Sequence, residues 1–286
     1  MKTNLFLTIT AIMALMLSSC KKNNTDQSQP AVNLADDEAV SEAVYDDVFN
    51  SVDIATATLD LTMKSAEAKS LLTPGDSCPQ VTVDHPETGI WPKAITIDYG
   101  SGCTGFYDNT RAGKILILVT GPRSEAGSTR TVTFDNYYFN GIKVEGTKVL
   151  ENMGLNSNNN FVVSVKLTGG KLTLPDGKTI ERSFDHQREW IAGFLTKNLW
   201  DDQCLITGTL TGKNVEGISY IRTITTPVKW ERVCRFPVSG ILDIEREGKD
   251  PVILDYGSGQ CDNLATVTIN GETKEIQLRH HFRNGL

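Results

Sequence analysis

Two glycine-rich stretches are candidate ligand loops because their sequences are nearly identical. Residues 97–103 read IDYGSGC, and residues 254–261 read LDYGSGQC. A phosphate-binding glycine loop opens a helix, since the anion is held by free N–H groups at the helix N-terminus. Both stretches are instead followed by segments with the composition of strands. We therefore predict two structural corners, in which Asp98 and Asp255 hold turn amides and the glycines adopt positive φ.

The same corners indicate how the cysteines pair. Of the six cysteines, Cys78 precedes the first corner and Cys103 ends it, while Cys234 precedes the second corner and Cys261 ends it. Disulfides form in exported proteins, and the N-terminal signal described below predicts export. We predict the bonds Cys78–Cys103 and Cys234–Cys261, each of which would stabilise the fold by about 3 to 4 kcal/mol on the chain-entropy model.

Cys204 is left without a partner by this pairing. A cysteine nucleophile needs a histidine base, and the nearest in sequence is His186, which stands in no known cysteine-enzyme signature. We therefore expect a buried free thiol. Zinc is disfavoured, because no cysteine pair has C-x-x-C spacing and the adjacent His280 and His281 would point to opposite faces of a strand. No metal and no cofactor are predicted.

Recognisable catalytic motifs are scarce. The chain has neither a G-x-S-x-G elbow nor an H-E-x-x-H helix. A pair of acids brought together by the fold could still hydrolyse a glycosidic bond. Trp190 follows Glu189, and Trp200 precedes two aspartates, as aromatic and acidic residues do in sugar sites. We take Trp190 and Trp200 as candidate ligand contacts; the alternative is burial in an ordinary β-protein core.

The first twenty residues are typical of a bacterial lipoprotein signal. Lys2 precedes a short apolar run over residues 5–17, and LSSC follows at 17–20. The run is too short to span a bilayer, which needs about 20 apolar residues, so we predict a signal peptide over residues 1–19. LSSC resembles a lipobox, so Cys20 would become the lipid-bearing N-terminus. The polar stretch 20–32 would be a flexible tether.

The charge of the chain excludes one class of partner. The formal net charge is −7, and no run of Lys and Arg is interleaved with aromatic residues. Proteins that follow a phosphate backbone need such basic surfaces. We therefore predict that the protein does not bind nucleic acid.

Residues 33–72 are typical of an acidic amphipathic helix. The segment contains no glycine or proline until Thr73-Pro74-Gly75, and acids cluster at its beginning, where the helix dipole favours them. Its apolar residues recur every three or four positions: Val40, Val44, Val48, Val52, Ala55 and Leu59. We expect this stripe to pack against the rest of the protein.

The remaining residues, 73–286, predict a mainly β body. Apolar residues alternate with polar ones, and Asn-Gly and Pro-Asp-Gly turns separate the runs. The signature is that of an antiparallel sandwich or of a curved meander or half-barrel. The run at 115–119, ILILV, is apolar throughout, which predicts a central strand covered on both faces.

An internal duplication is indicated within this body. Residues 167–180 can be aligned with residues 238–253, and a Val-Glu-Gly precedes each, at 144–146 and at 215–217. Both offsets are close to seventy residues. We infer two related β-units in one domain or in two tightly joined halves.

The lipobox, tether, acidic helix and duplicated β body together resemble the uncharacterised envelope lipoproteins of Bacteroidota. The resemblance implies an exported, non-enzymatic protein anchored by Cys20, most often at the outer membrane, with the membrane face undecided. We expect a binding or interaction module for a glycan, an envelope protein or another envelope ligand. The alternatives are a polysaccharide-directed hydrolase and a carrier of apolar ligands in a half-barrel.

Overall fold

The computed structural model describes residues 28–62, 78–85, 87, 89–105, 108–194, 196, 199–234 and 236–278. It contains one long helix, α1 (Ser28–Thr62), and a 14-stranded antiparallel sheet, which confirms the predicted mainly β fold. The strands are β1 (Gln80–Val83), β2 (Lys93–Asp98), β3 (Cys103–Thr104), β4 (Thr110–Val119), β5 (Thr129–Phe139), β6 (Ile142–Leu155), β7 (Phe161–Thr173), β8 (Thr179–Ala192), β9 (Gln203–Lys213), β10 (Ser219–Glu231), β11 (Ser239–Arg246), β12 (Lys249–Ser258), β13 (Leu264–Ile269) and β14 (Glu272–Gln277).

The sheet is an open meander. Apart from the short β3, which pairs only with β4, the strands follow one another in the sheet in the order of the chain. The described strands β1 and β14 form its two edges and do not pair with each other. No helix in the described part of the chain is long and apolar enough to cross a membrane.

The sheet curves around α1. Arg111 on β4, Lys148 on β6 and Arg222 on β10 all bond to the helix. Strands β4 and β10 are six steps apart, or roughly 30 Å in a flat sheet at about 4.8 Å per step. A helix is only about 10 Å across. It can therefore contact all three side chains only from the concave face of a strongly bent sheet.

Glycines at register shifts allow this bending. At each of four such sites a Cβ would lie within 3.0 Å of a neighbouring strand's backbone: Gly113, Gly146, Gly208 and Gly240. Gly208, at the shift between β9 and β10, has φ +124°, and its Cβ would lie 2.1 Å from the carbonyl oxygen of Asp185. Bulges of this kind increase local twist and bend the bulged strand.

The predicted apolar stripe of the helix is confirmed, because all six of its residues are buried. The helix bounds differ from the prediction. It begins at Ser28, within the stretch predicted as tether, with Pro30 in the first turn, where proline is tolerated. It is described as far as Thr62. The predicted end near Leu72, the signal peptide and the lipobox lie outside the described residues.

One predicted burial pattern is wrong. In β4, Ile115, Ile117 and Val119 face the core, but Leu116 is 36% exposed and Leu118 is 47% exposed. The sheet is a single layer whose inner face meets α1. Among the described elements nothing packs over the outer face of β4, so apolar residues on that face remain in contact with solvent.

The corners are structural, as predicted. The Asp98 carboxylate accepts a hydrogen bond from the Gly100 N–H at 2.8 Å, and the Asp255 carboxylate accepts one from the Gly257 N–H at 2.8 Å. Both predicted disulfides, Cys78–Cys103 and Cys234–Cys261, are present. Each corner is thus closed by the same polar contact and the same kind of covalent bond.

The structure reflects the predicted internal duplication only in part. Residues 167–180 and 238–253 each span a β-hairpin, β7 to β8 and β11 to β12. The upstream Val-Glu-Gly pair is not equivalent, since 144–146 lie within β6 whereas 215–217 lie in the turn between β9 and β10. Three residues do not specify a local structure, because tertiary pairing decides between strand and turn.

Candidate ligand-binding cavity

Buried ion pairs join α1 to the sheet. Glu38 accepts hydrogen bonds from Arg182 at 2.6 Å, from Arg222 at 3.2 Å and from the Tyr220 hydroxyl at 2.6 Å. All four side chains are buried. A carboxylate withdrawn from water is tolerated only when it is paired and hydrogen-bonded. Glu38 therefore fixes the first part of the helix between β8 and β10.

The next turns of the helix repeat this arrangement. Glu42 pairs with Arg222, Asp46 pairs with Arg188, and Asp47 accepts a hydrogen bond from Arg111 Nε at 2.9 Å. Burial alone would raise the pKa of the Glu42 carboxyl, but Arg222 and Arg182 hold that pKa well below its usual value. Burial raises the pKa of Asp46 despite the opposing effect of Arg188.

Further along the helix, Asp53 lies among three guanidinium groups. It is 2.9 Å from Arg123, 3.8 Å from Arg130 and 2.9 Å from Arg232. Arg232 also lies 3.3 Å from Asp202, which precedes β9. Acids of the helix are thus paired, over several helical turns, with arginines of the strands and of the segments that connect them.

Two buried bases of the interior have structural rather than catalytic surroundings. The Lys148 ammonium donates to the Tyr45 carbonyl at 2.8 Å and lies 5.5 Å from the ring centre of Phe49; burial lowers its pKa to about 7. His186 Nε2 accepts a hydrogen bond from Arg222 at 3.0 Å, and burial, then Arg222, lower its pKa well below the usual value. Neither residue lines the cavity described below.

Cys204 is free and buried, as predicted. Burial raises the pKa of its thiol to about 12. The thiolate is the nucleophilic form, so this cysteine is unreactive at neutral pH.

A large cavity lies beside the helix. Its volume is about 870 Å³, and it is bounded by α1, by β1, β2, β4 and β5, by β10 and β12, and by segments that flank these strands; strands β6 to β9 and β11 contribute no lining residue. Aromatic and aliphatic side chains dominate its wall: Ile54, Val81, Ile97, Tyr99, Phe139, Trp200, Trp230, Phe236 and Tyr256. Small-molecule sites have this size and this kind of lining, with a few placed polar groups.

The two candidate tryptophans have different surroundings. Trp200 is 43% exposed and lines the cavity. Trp190 is 4% exposed, does not line it, and packs against Phe49, Phe161 and Phe194. The structure therefore does not bring them together, and Trp190 is a core residue.

Glu189 cannot share a site with Trp190, because successive side chains of a strand point to opposite faces. Glu189 lies on the outer face and accepts hydrogen bonds from Asn160 at 2.7 Å and Asn156 at 2.8 Å, which lower its pKa. It lines a depression of about 270 Å³ there, less than a third of the volume of the inner cavity.

Metal-ligand geometry is not found in the described ranges, where no three His, Cys, Asp or Glu side chains gather. His85 is exposed and lies 3.8 Å from Asp84. His280 and His281 lie outside the described residues.

Most cavity residues were missed from the sequence, including Asn50, Ile54, Arg111 and Arg232. They come from three segments that lie 57 and 121 residues apart along the chain, and these segments share no motif. The available signal was indirect. Alternate residues of a strand lie on one face of the sheet, and in β8 one such face carries Arg182, Phe184, His186, Arg188 and Trp190. Arginines on an apolar face predict a buried acidic partner.

No protein-family model matches this chain, and neither a curated protein nor a solved structure was found to be similar to it.

Proposed function

We propose that this protein is a lipid-anchored, non-enzymatic binding protein of the cell envelope that holds a mainly apolar small molecule in the cavity beside α1. The observation that carries the proposal is the cavity itself, with its volume of about 870 Å³ and its aromatic and aliphatic wall. Burial of apolar ligand surface against such a wall contributes about 25 cal/mol per Å² before the costs of association.

The ion pairs support binding beside the helix rather than in its place. The helix carboxylates are bonded to sheet arginines, and its apolar stripe is buried. Moving the helix aside would expose that stripe and leave buried charges unpaired, which is costly. A ligand that enters the existing cavity avoids both costs.

A hydrolase is the alternative, favoured by one observation. Glu42 and Asp46 lie one helical turn apart, both line the cavity, and their pKa values are shifted in opposite directions. Divergent pKa values are typical of acid and base pairs. Both carboxylates are bonded to arginines of the sheet, however, so contact with a substrate would require these buried ion pairs to break. Release of reducing sugar from a polysaccharide panel would support the alternative.

The proposal predicts uptake of an apolar dye. N-phenyl-1-naphthylamine, which fluoresces when it leaves water, should bind the mature protein saturably with one site. Ile54 lines the cavity and is 45% exposed, so Ile54→Asp should leave the fold intact and place a carboxylate against the ligand. We expect affinity to fall at least about tenfold, or roughly 1.4 kcal/mol.

Ile253→Asp is the matched control, because Ile253 is 43% exposed and does not line the cavity. It should leave dye affinity unchanged. The proposed site would be contradicted if the protein did not bind the dye saturably. It would also be contradicted if both substitutions lowered the affinity for the dye equally.

The anchor is a separate part of the proposal and has its own prediction. If LSSC is a lipobox, cells that express the protein should incorporate labelled palmitate into it, and Cys20→Ala should abolish the label and release the protein from the membrane fraction. Persistent labelling of Cys20→Ala would contradict lipidation at Cys20.

A further inference from the structure

The cavity extends along one face of α1. Between Ala39 and Ala55 the helix residues that line it recur with alternating steps of three and one along the chain. Residues with this spacing form one continuous row on the surface of a helix. Ala55 is 16 residues beyond Ala39, and each residue of a helix adds about 1.5 Å, so the row is about 24 Å long. The cavity is therefore a groove rather than a rounded chamber.

One end of the groove is closed. The tyrosines of the two repeated corners, Tyr99 and Tyr256, both line it. The Tyr99 hydroxyl donates a hydrogen bond to Ser51 at 3.1 Å, towards the far end of the row. Burial, followed by the charge of Glu42, raises the pKa of Tyr256, so this tyrosine lies close to the beginning of the row. Tyr256 and Ala39 are both buried, and together they close the groove at this end.

The opposite end is open to solvent. Ile54 is 45% exposed and Trp200 is 43% exposed, and both line the groove. Arg232 lies 2.9 Å from Asp53 and 3.3 Å from Asp202, which brings the segment that carries Trp200 next to this part of the helix. A ligand therefore enters between Ile54 and Trp200.

The groove is narrow. The volume of about 870 Å³ divided by the length of about 24 Å gives a mean cross-section of about 36 Å², which is that of a circle about 7 Å across. An α-helix, at about 10 Å, is too wide for it. A hydrocarbon chain is roughly 4 to 5 Å across, because carbon atoms approach one another to about 3.5 to 4.0 Å. The groove thus holds one such chain but not two side by side.

The helix side of the groove asks for no polar ligand group. Its carboxylates at positions 42, 46 and 47 are bonded to arginines, and Ser51 is bonded to Tyr99. The sheet side offers the aromatic and aliphatic wall described above. Binding energy is therefore available mainly from burial of apolar surface along the length of the groove.

We infer that the ligand is a single-chain lipid, whose unbranched hydrocarbon chain runs from the opening at Ile54 towards Ala39 while its polar head stays at the opening. An extended chain advances about 1.25 Å per carbon, so a groove of about 24 Å holds up to about 19 carbons. The inference rests on the proposed function, since it concerns the same cavity.

The first test compares two acids of twelve carbons, dodecanoate and 2-pentylheptanoate, which have the same head and differ only in branching. Each displaces N-phenyl-1-naphthylamine from the mature protein at concentrations too low for micelles. We expect dodecanoate to displace the dye at least about tenfold better, because the branched acid must place two chains side by side in a groove that is wide enough for one.

The second test shortens the groove. Ala43 lines it, is only partly buried and precedes Ile54 by 11 residues, or about 16 Å along the helix. The ring in Ala43→Phe should fill the groove there without entering the core. Hexadecanoate, at about 20 Å, should then displace the dye at least about tenfold less well than from the unaltered protein, whereas octanoate, at about 10 Å, should change less than about twofold.

Ala192→Phe is the matched control, because Ala192 is exposed at the end of β8 and does not line the groove. It should leave the displacement by both acids unchanged. Equal displacement by the linear and branched acids would overturn the inference, as would an Ala43→Phe protein that loses affinity for octanoate as much as for hexadecanoate. Displacement by maltohexaose but by no fatty acid would assign the groove to a glycan and would also overturn it. Failure of the dye itself to bind would instead overturn the proposed function.

Discussion

Replacing Glu38 with alanine should lower the free energy of unfolding by about 3–5 kcal/mol. The substitution leaves Arg182 and Arg222 buried and without the carboxylate that accepts their hydrogen bonds at 2.6 and 3.2 Å. Glu42 remains near both arginines but is already bonded to Arg222 and lies 3.8 Å from Arg182. It therefore replaces little of what is lost. Denaturant unfolding monitored by circular dichroism measures the effect.

Glu181→Ala is the control for this experiment. Glu181 neighbours Arg182 in β8 but points outward, where it lies 3.8 Å from Lys213 with both side chains more than half exposed. Exposed pairs of this kind contribute about 0 to 1 kcal/mol, so a small change is expected. If Glu38→Ala cost no more than Glu181→Ala, the interior ion pairs would not hold the helix in the sheet.

Replacing Gly208 with alanine should have an effect of similar size, at least about 3 kcal/mol, measured by the same denaturant unfolding. At φ +124° an L-residue is strained, and the new Cβ would lie 2.1 Å from the Asp185 carbonyl oxygen on β8. That oxygen belongs to backbone in the middle of the sheet, so relief of the overlap requires β8 and β9 to separate. The curvature around α1 would be disturbed.

Gly177→Ala separates backbone strain from overlap. Gly177 lies in the turn between β7 and β8 with φ +84°, and a Cβ added there would have no atom within 4 Å. Only the conformational cost applies at this position, about 1 kcal/mol. Equal destabilisation by the two substitutions would mean that the bulge tolerates a side chain and that close strand approach at Gly208 does not fix the bend.

Structural features that depend on residues close together in the sequence were predictable from the sequence. Alternation identified strands because inward and outward positions repeat every two residues. The two corners and their disulfides followed from a repeated local motif. The helix stripe from Val40 to Leu59 followed from its period, and Cys204 was expected as a buried thiol because no partner or base stood near it.

Features that depend on the curvature of the sheet were not predictable. The run at 115–119 predicts a strand covered on both faces, since composition does not reveal that the sheet is a single layer. The ion pair of Glu38 with Arg222 joins residues 184 positions apart. The cavity likewise depends on how far the sheet bends around α1, so neither Asn50 nor Arg232 could be identified as a wall residue from spacing.

These contacts make α1 a constituent of the core. A carrier in which the helix acts as a removable plug would need a weakly held helix, whereas this one is bonded through Glu38, Asp47 and Asp53 and buries its apolar stripe. We therefore propose that the helix stays in place when a ligand binds in the cavity beside it, and this is the central claim.

Native-state hydrogen exchange tests that claim most directly, because it measures the opening free energy of each segment. The amides of α1 from Val40 to Val52 should exchange only through global unfolding, with the same opening free energy as β7 and β8, in both the free and the dye-bound protein. The claim would be contradicted if the opening free energy of these amides were clearly lower than that of the strand amides. It would also be contradicted if the helix amides lost their protection when the dye binds, because either result would show that the helix can be displaced.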